Sequence, residues 1–125
     1  MHLLPTSFEA IKASFEDFQS KQGTSYEPPR AQSPILGIYE DTNLIGYFIL
    51  WPYDDGDLEI NQGYLAPTAR HKRLSKQAMT LLEASAKKSG FKRIILAAQR
   101  SLKAYVPFME DMGYKPQRIV FSKEL

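Results

Sequence analysis

Residues 65–85 read LAPTARHKRLSKQAMTLLEAS, and basic side chains crowd one short part of this stretch: Arg70, His71, Lys72, Arg73 and Lys76. Leu74, Ala78, Leu81, Leu82 and Ser85 recur at helical spacing, and Gly90 closes the pattern. The cations therefore fall in the first turn of an amphipathic helix that starts near Arg70. Unpaired N–H groups and the macrodipole favour anions at that end of a helix, so the local charge has the wrong sign. No Ser/Thr-x-x-Glu/Gln box offsets it. Such a helix start suits a bound anion. A second cluster, Asp54, Asp55 and Asp57, surrounds Gly56. Asp-Gly at its centre reads as a hairpin turn rather than a metal site, and no metal is expected.

The whole-chain charge sharpens this picture. The 125 residues carry a net charge of only +2. Residues 1–67 nevertheless hold 3 Lys/Arg against 10 Asp/Glu, and residues 68–125 hold 13 against 4. The second half is the anion-binding half, unless the two signs are simply two solvated faces. Cysteine is absent, which excludes disulfides, a thiolate nucleophile and a cysteine-based zinc site. No apolar run is long enough to span a bilayer, and MHLLPTSFEAIK lacks the regions of a signal peptide. A cytoplasmic protein with no membrane partner is the expectation. Nucleic-acid binding is disfavoured, because the basic residues lack interleaved aromatics and no nucleic-acid motif is present.

The length suits one domain, residues 1–125. Thr6-x-x-Glu9 reads as a capping box opening a helix with Phe8, Ile11, Phe15 and Phe18 on one face, ending near Gly23. TSYEPPRAQSP follows as a loop. ILGIYE and LIGYFILW are strands joined through DTN, YDDGD is a second turn, and LEINQGYLA is a third strand in which Gly63 marks a bulge. After the cationic helix, KRIILAA reads as a strand buried on both faces. SLKAYVPFMEDM is an amphipathic helix interrupted or started at Pro107 and ended by Gly113, and RIVFSKEL is a last strand. The strand–helix–strand unit over residues 58–98 predicts a right-handed parallel crossover. The expected fold is α/β, a mixed and mostly antiparallel sheet with helices on both faces.

At Leu65-Ala66-Pro67-Thr68-Ala69-Arg70 the sequence resembles the V-x-P-x-x-R-x-x-G-x-G/A signature of the GNAT N-acetyltransferase family. PFMEDMGYKP resembles the family's LYEKxGF segment, with Phe108, Glu110, Gly113 and Tyr114 in register. With the element order, the likeness covers roughly residues 5–125. It implies an acetyl-CoA co-substrate whose pyrophosphate sits on the helix start, held by backbone N–H groups, with the pantetheine arm along the preceding strand at a bulge near Gln62–Gly63. The residues this places around the cofactor are Tyr64, Leu65, Ala66, Arg70, His71, Lys72, Arg73, Leu74, Ser75 and Lys76. The family's two glycines fall on Arg73 and Ser75. Ser75 is small enough to substitute. Arg73, expected in helical geometry without a positive φ, either clamps phosphate with its guanidinium or blocks the turn.

The implied reaction is attack of an amine on a thioester, which needs a base, an oxyanion donor and an acid. Glu59 is the candidate base, or else a solvent-facing strand residue. The family's acid, often a Tyr, falls on Met109, which cannot donate a proton. Tyr105, one turn earlier, is the candidate substitute, or else an ordinary aromatic. His71, at the cofactor end of the helix, suits a phosphate-side role rather than a base. Tyr26, Tyr47, Trp51 and Tyr53 line an acceptor pocket or belong to the core. No second N-terminal helix is evident and the C-terminal tail is short. The acceptor site is therefore open to a small-molecule or peptide amine, or is completed by another chain, as in a homodimer. Two functions follow: an N-acetyltransferase, or a degenerate GNAT fold serving as a binding or structural module, resembling some small GNAT-like chains encoded by bacteriophages.

Overall fold

The computed structural model describes residues 1–22, 29, 32–97, 105–117 and 121–125, with the backbone alone at 21, 22, 71, 72 and 105. Five strands form one sheet in the order β1-β2-β3-β4-β5: β1 His2–Pro5, β2 Ile35–Glu40, β3 Asn43–Pro52, β4 Asp57–Leu65 and β5 Arg93–Leu96. The first four are antiparallel to their neighbours, and β4 and β5 are parallel. The helices are α1 Phe8–Gln22, α2 Leu74–Lys88 and α3 Tyr105–Asp111, and a 3-10 helix, Pro67–Lys72, joins β4 to α2. The α/β class, the mostly antiparallel sheet and the single parallel pair are those expected from the sequence.

The two faces of the sheet carry separate cores. On one, α1 lays Ile11 and Phe15 against Ile35, Tyr47 and Ile49, with Phe8 edge-on to Phe15. On the other, Ala78, Met79, Leu82 and Ala86 of α2 and Met109 of α3 cover Ile38, Phe48, Leu50, Leu58, Ile60 and Leu65. Alternation along β3 sends Tyr47 and Ile49 one way and Phe48 and Leu50 the other, which is why one strand serves both cores. Each large apolar side chain buried here contributes about 1.5–3 kcal/mol. Gly46 keeps β3 close to β4, because a Cβ there would collide with the Tyr64 carbonyl.

Several local expectations shift. The chain has an extra strand, β1, ahead of α1, paired His2↔Tyr39 through Pro5↔Leu36. Ser7, not Thr6, caps α1: its Oγ accepts the Ala10 N–H at 3.4 Å, while the Thr6 N–H donates to Ile35 O across the sheet. Ser85 is exposed, and Ala86 takes the core place on α2. α2 ends as expected at Gly90, whose φ of +93° lets the Phe91 N–H reach Ala86 O and the Gly90 N–H reach Lys87 O. β5 is half-buried with an exposed Arg93, not buried on both faces, because β4 is its one sheet neighbour among the described residues. Residues 121–125 are exposed and outside any strand, so the terminal strand expected from RIVFSKEL is not seen in its described part; residues 118–120 lie outside the described residues, as does most of the TSYEPPRAQSP loop.

The β3–β4 turn forms as expected, and its acids are put to structural use. The Tyr53 N–H donates to Asp57 O, and Asp55 Oδ1 accepts the Asp57 N–H at 3.0 Å. Asp57 is 7% exposed and receives both Arg93 Nε and Nη2 at 2.9 and 2.8 Å, fixing β4 to β5 at the first residue of their pairing. The Arg93 guanidinium holds the Asp57 carboxyl below the usual carboxylate range. A folded-state value below the unfolded one means the pair's stabilisation is complete above pH about 4 and is lost as pH falls through the folded value. Asp57→Asn is therefore expected to lower the urea midpoint at pH 7, with the gap to wild type closing as pH is taken below 4. A gap that stays constant down to pH 2 would rule the ion pair out as its cause.

Candidate functional site

The parallel pairing of β4 with β5 stops after Ile60↔Leu96, whereas β4 stays paired with β3 to Gly46↔Leu65. Between Ile49↔Gln62 and Leu50↔Ile60 the register shifts, leaving Asn61 as the extra residue. The bulge thus lies at Asn61, not at Gly63, which pairs regularly with Phe48. Beyond it, among the described residues, β4 has an edge with no strand beside it. The Ala66 N–H donates to Ile45 O at 2.8 Å, so the alternation of antiparallel bonds turns the N–H and C=O of Leu65 away from β3, towards that edge.

The chain then winds through the 3-10 helix, with Ala66 as its N-cap residue and Pro67 in its first turn, where the absent N–H is not needed. Arg73 follows with φ +57° and ψ +20°, and α2 begins at Leu74. The helix therefore starts later than Arg70, and Arg73 is left-handed, not helical as expected. The tighter 3-10 winding ends at one residue that redirects the chain into α geometry, and a positive φ is the conformation that glycine adopts at no steric cost. For an arginine it costs roughly 1–2 kcal/mol. The first turn of α2 holds no acidic residue, and among the described residues no side chain caps it. Arg73 and Lys76 are exposed beside it and Ser75 is half-buried. Leu65 is buried and Leu74 half-buried against the core, so what Leu65 presents outward is backbone. Arg70 turns back, its Nε donating to Leu65 O at 2.8 Å. The side chains of His71 and Lys72 lie outside the described ones.

The bulge also sets which side chains share the α1 face. Trp51↔Glu59, Ile49↔Gln62 and Tyr47↔Tyr64 are opposed pairs, so Glu59, Gln62 and Tyr64 stand with Tyr47 and Trp51. Glu59 is half-buried and accepts the Tyr53 hydroxyl at 3.0 Å. Gln62 Nε2 donates to the Tyr47 hydroxyl at 2.8 Å, with both residues buried. Burial, reinforced by the neighbouring Tyr64 hydroxyl, pushes the Tyr47 phenol well above its ordinary value. Tyr64 stacks on Tyr47, with ring centres 5.3 Å apart, and meets Phe18 of α1 edge-on at 6.1 Å.

The structure thus joins Glu59, Trp51 and Tyr53 on one sheet face and adds Gln62, which sequence reading passed over. Simple alternation puts residues 59 and 62 on opposite faces, and the signal that could have found Gln62 is the bulge. Tyr26 lies outside the described residues. Tyr105 opens α3, and its side chain is likewise outside them. Met109 is buried in the α2-side core, an apolar place. Tyr114, in the second motif, donates its hydroxyl to Glu83 Oε2 at 2.7 Å, which pins the segment after α3 to α2. Asp54 and Asp55 are exposed in the turn, and among the described residues no group of three His, Cys, Asp or Glu side chains could hold a metal ion. Nor is any described helix long and apolar enough to cross a membrane.

Comparison with known proteins agrees with this fold. The fold is similar to that of YycN from Bacillus subtilis (TM-score 0.77, 18% identity, 98% of this chain and 97% of that chain covered). It is also similar to an aminoglycoside acetyltransferase, meta-AAC0020, from an uncultured soil metagenomic sample (TM-score 0.68, 10% identity, coverage 98% and 95%). A third likeness is to a ribosomal-protein-alanine N-acetyltransferase from Brucella melitensis (TM-score 0.69, 16% identity, coverage 100% of both). No curated protein sequence matches significantly. At these identities the structures speak for the fold alone. The sequence itself matches the model of the acetyltransferase (GNAT) family over residues 4–114. From the open edge of β4 through the turn at Arg73 to the second motif, the chain belongs to the GNAT acetyltransferase family.

Proposed function

We propose that this chain, acting as one domain over residues 1–125, transfers an acetyl group from acetyl-CoA to an amine. The observation that carries this reading is the edge of β4, open among the described residues, leading through a left-handed turn into a helix start with no acid and, among those residues, no side-chain cap, in a chain of an acetyltransferase family. The fit to coenzyme A is chemical. The outward-facing N–H and C=O of Gly63 and the N–H of Leu65 suit the amides of a pantetheine arm. The first N–H groups of α2 and the Ser75 hydroxyl suit pyrophosphate, with Arg73 and Lys76 as nearby cations.

The reaction forms a carbon–nitrogen bond and breaks the thioester carbon–sulfur bond. Glu59 is the proposed base for the amine proton, directly or through one water, with the Tyr53 hydroxyl fixing its carboxylate. Tyr105, at the first position of α3, is the proposed donor to the leaving thiolate. Trp51 and Tyr53 flank the acceptor amine, whether of a small molecule or of a peptide. A second reading, a GNAT fold that binds without catalysis, is favoured by Met109, since a buried thioether has no proton to give.

Calorimetric titration with acetyl-CoA separates these readings. Binding that weakens with added salt, together with turnover of an amine, is the expected result. Binding without turnover on any amine tested favours the second reading, and no heat and no thermal shift at millimolar ligand ends the enzyme reading and leaves the binding or structural module. Glu59→Gln is expected to lower kcat about 10²–10⁴-fold while coenzyme A still binds. An unchanged rate would remove Glu59 from the chemistry.

Arg73→Gly tests the turn by two measurements. Relief of the left-handed strain, roughly 1–2 kcal/mol, is opposed by about 0.4–1 kcal/mol of added unfolded-chain entropy, so the thermal midpoint should hold or rise. Loss of a charge-assisted phosphate contact, roughly 1.5–3 kcal/mol, should weaken coenzyme A binding by one to two decades. Tighter binding would mean that the arginine obstructs the turn.

A further inference from the structure

We infer that Arg70, the arginine of the family signature, is a positioning residue that clasps the turn onto the end of β4 and is not a phosphate ligand. Its Nε donates to the carbonyl of Leu65, five residues back, at 2.8 Å. Its guanidinium carbon lies 5.5 Å from the centre of the Tyr64 ring. That ring is fixed in turn. It stacks on Tyr47, 1% exposed, whose hydroxyl accepts from buried Gln62, and Phe18 of α1 meets its edge. The guanidinium therefore lies over a ring rooted in the core between α1 and the sheet.

The acceptor atom makes the clasp informative. Leu65 C=O lies on the edge of β4 that points away from β3, beyond Ile60↔Leu96, the last pair of β4 with β5. Arg70 gives that carbonyl a partner and ties the first residues of the 3-10 helix to the strand they leave. Only a planar fork can stack on Tyr64 and still aim Nε at the carbonyl; a lysine ammonium, a point charge on a flexible stem, cannot do both. A phosphate at the start of α2 would have to compete with both contacts for the same guanidinium. The described cations left to meet phosphate are then those after the 3-10 helix, Arg73 and Lys76.

This inference rests on the reading that coenzyme A binds at this turn, and its test separates the two. Arg70→Lys and Arg70→Gln are titrated with coenzyme A over a range of salt, and amide hydrogen exchange is followed without ligand. A clasp predicts that both variants weaken binding alike, at least tenfold, with the salt slope of wild type, since no phosphate contact is lost. It also predicts faster exchange in both variants at Ala66 and Ala69, whose N–H groups bond to Ile45 O and Ala66 O across the clasped turn. A phosphate ligand predicts the reverse: Arg70→Lys close to wild type and a shallower salt slope in Arg70→Gln, which would overturn the inference. If wild type binds no coenzyme A, the cofactor reading fails and exchange alone decides the clasp: acceleration in both variants upholds it and unchanged exchange overturns it.

Discussion

Asn61 has no partner on β3: Ile49 lies opposite Gln62, and Leu50 lies opposite Ile60. Most of the candidate site depends on this one extra residue. A bulge reverses the side-chain parity of everything after it, so Gln62 and Tyr64 join Glu59 on the α1 face, and Gly63 and Leu65 fall on the α2 face. Without it, Tyr64 would point into the apolar layer under α2 and Leu65 towards the tyrosines. The bulge also bends β4 where its pairing with β5 ends, and the edge so released is the one that a strand-like arm could use. The side chains on the acceptor face and the backbone groups on the open edge therefore have one origin.

The transition from β4 to α2 concentrates cost in a few residues. Six residues wind as a 3-10 helix and one arginine adopts a left-handed conformation. Strain of this kind persists where surrounding contacts over-determine the backbone. Here those contacts are the buried Ala69 and Leu65, the Ala66 bond to Ile45 O and the Arg70 bond to Leu65 O. The result is a helix start whose N–H groups meet solvent and cations instead of a capping side chain. Taken alone this arrangement opposes the macrodipole, and it becomes favourable when an anion is present.

Much of this was legible in the sequence, for identifiable reasons. The apolar rows of α1 and α2, the apolar runs of β2, β3 and β4 between turn signals, and the Gly56 and Gly90 turns are local signals, and each element formed within a few residues of its expected bounds. Reading failed where the determinant is not local. β1 is four residues long, too short for a periodic signal, and is defined by its pairing with β2. β5 looked doubly buried because RIIL is continuously apolar, yet its exposure depends on what lies on its outer side. The helix start slipped from Arg70 to Leu74 because no propensity distinguishes a 3-10 turn carrying α-compatible residues. Gly63 drew the bulge assignment because glycine often marks one, but register is settled by packing against both neighbouring strands.

By itself the sequence determined the fold class, the division of charge between the halves, the family to which residues 4–114 match and the chemistry available to Glu59, Arg73 and Ser75. These follow from residue type and near spacing, which a chain carries whether folded or not. Only the tertiary structure decided that Asn61, not Gly63, shifts the register, that Gln62 stands with Glu59, that Tyr53 donates to that carboxylate and that Arg70 faces back to Leu65. It also decided that Arg73 takes the conformation a glycine would take. Each of these is a relation between residues brought together by strand register and helix packing, and register is a property of paired strands that no single strand encodes.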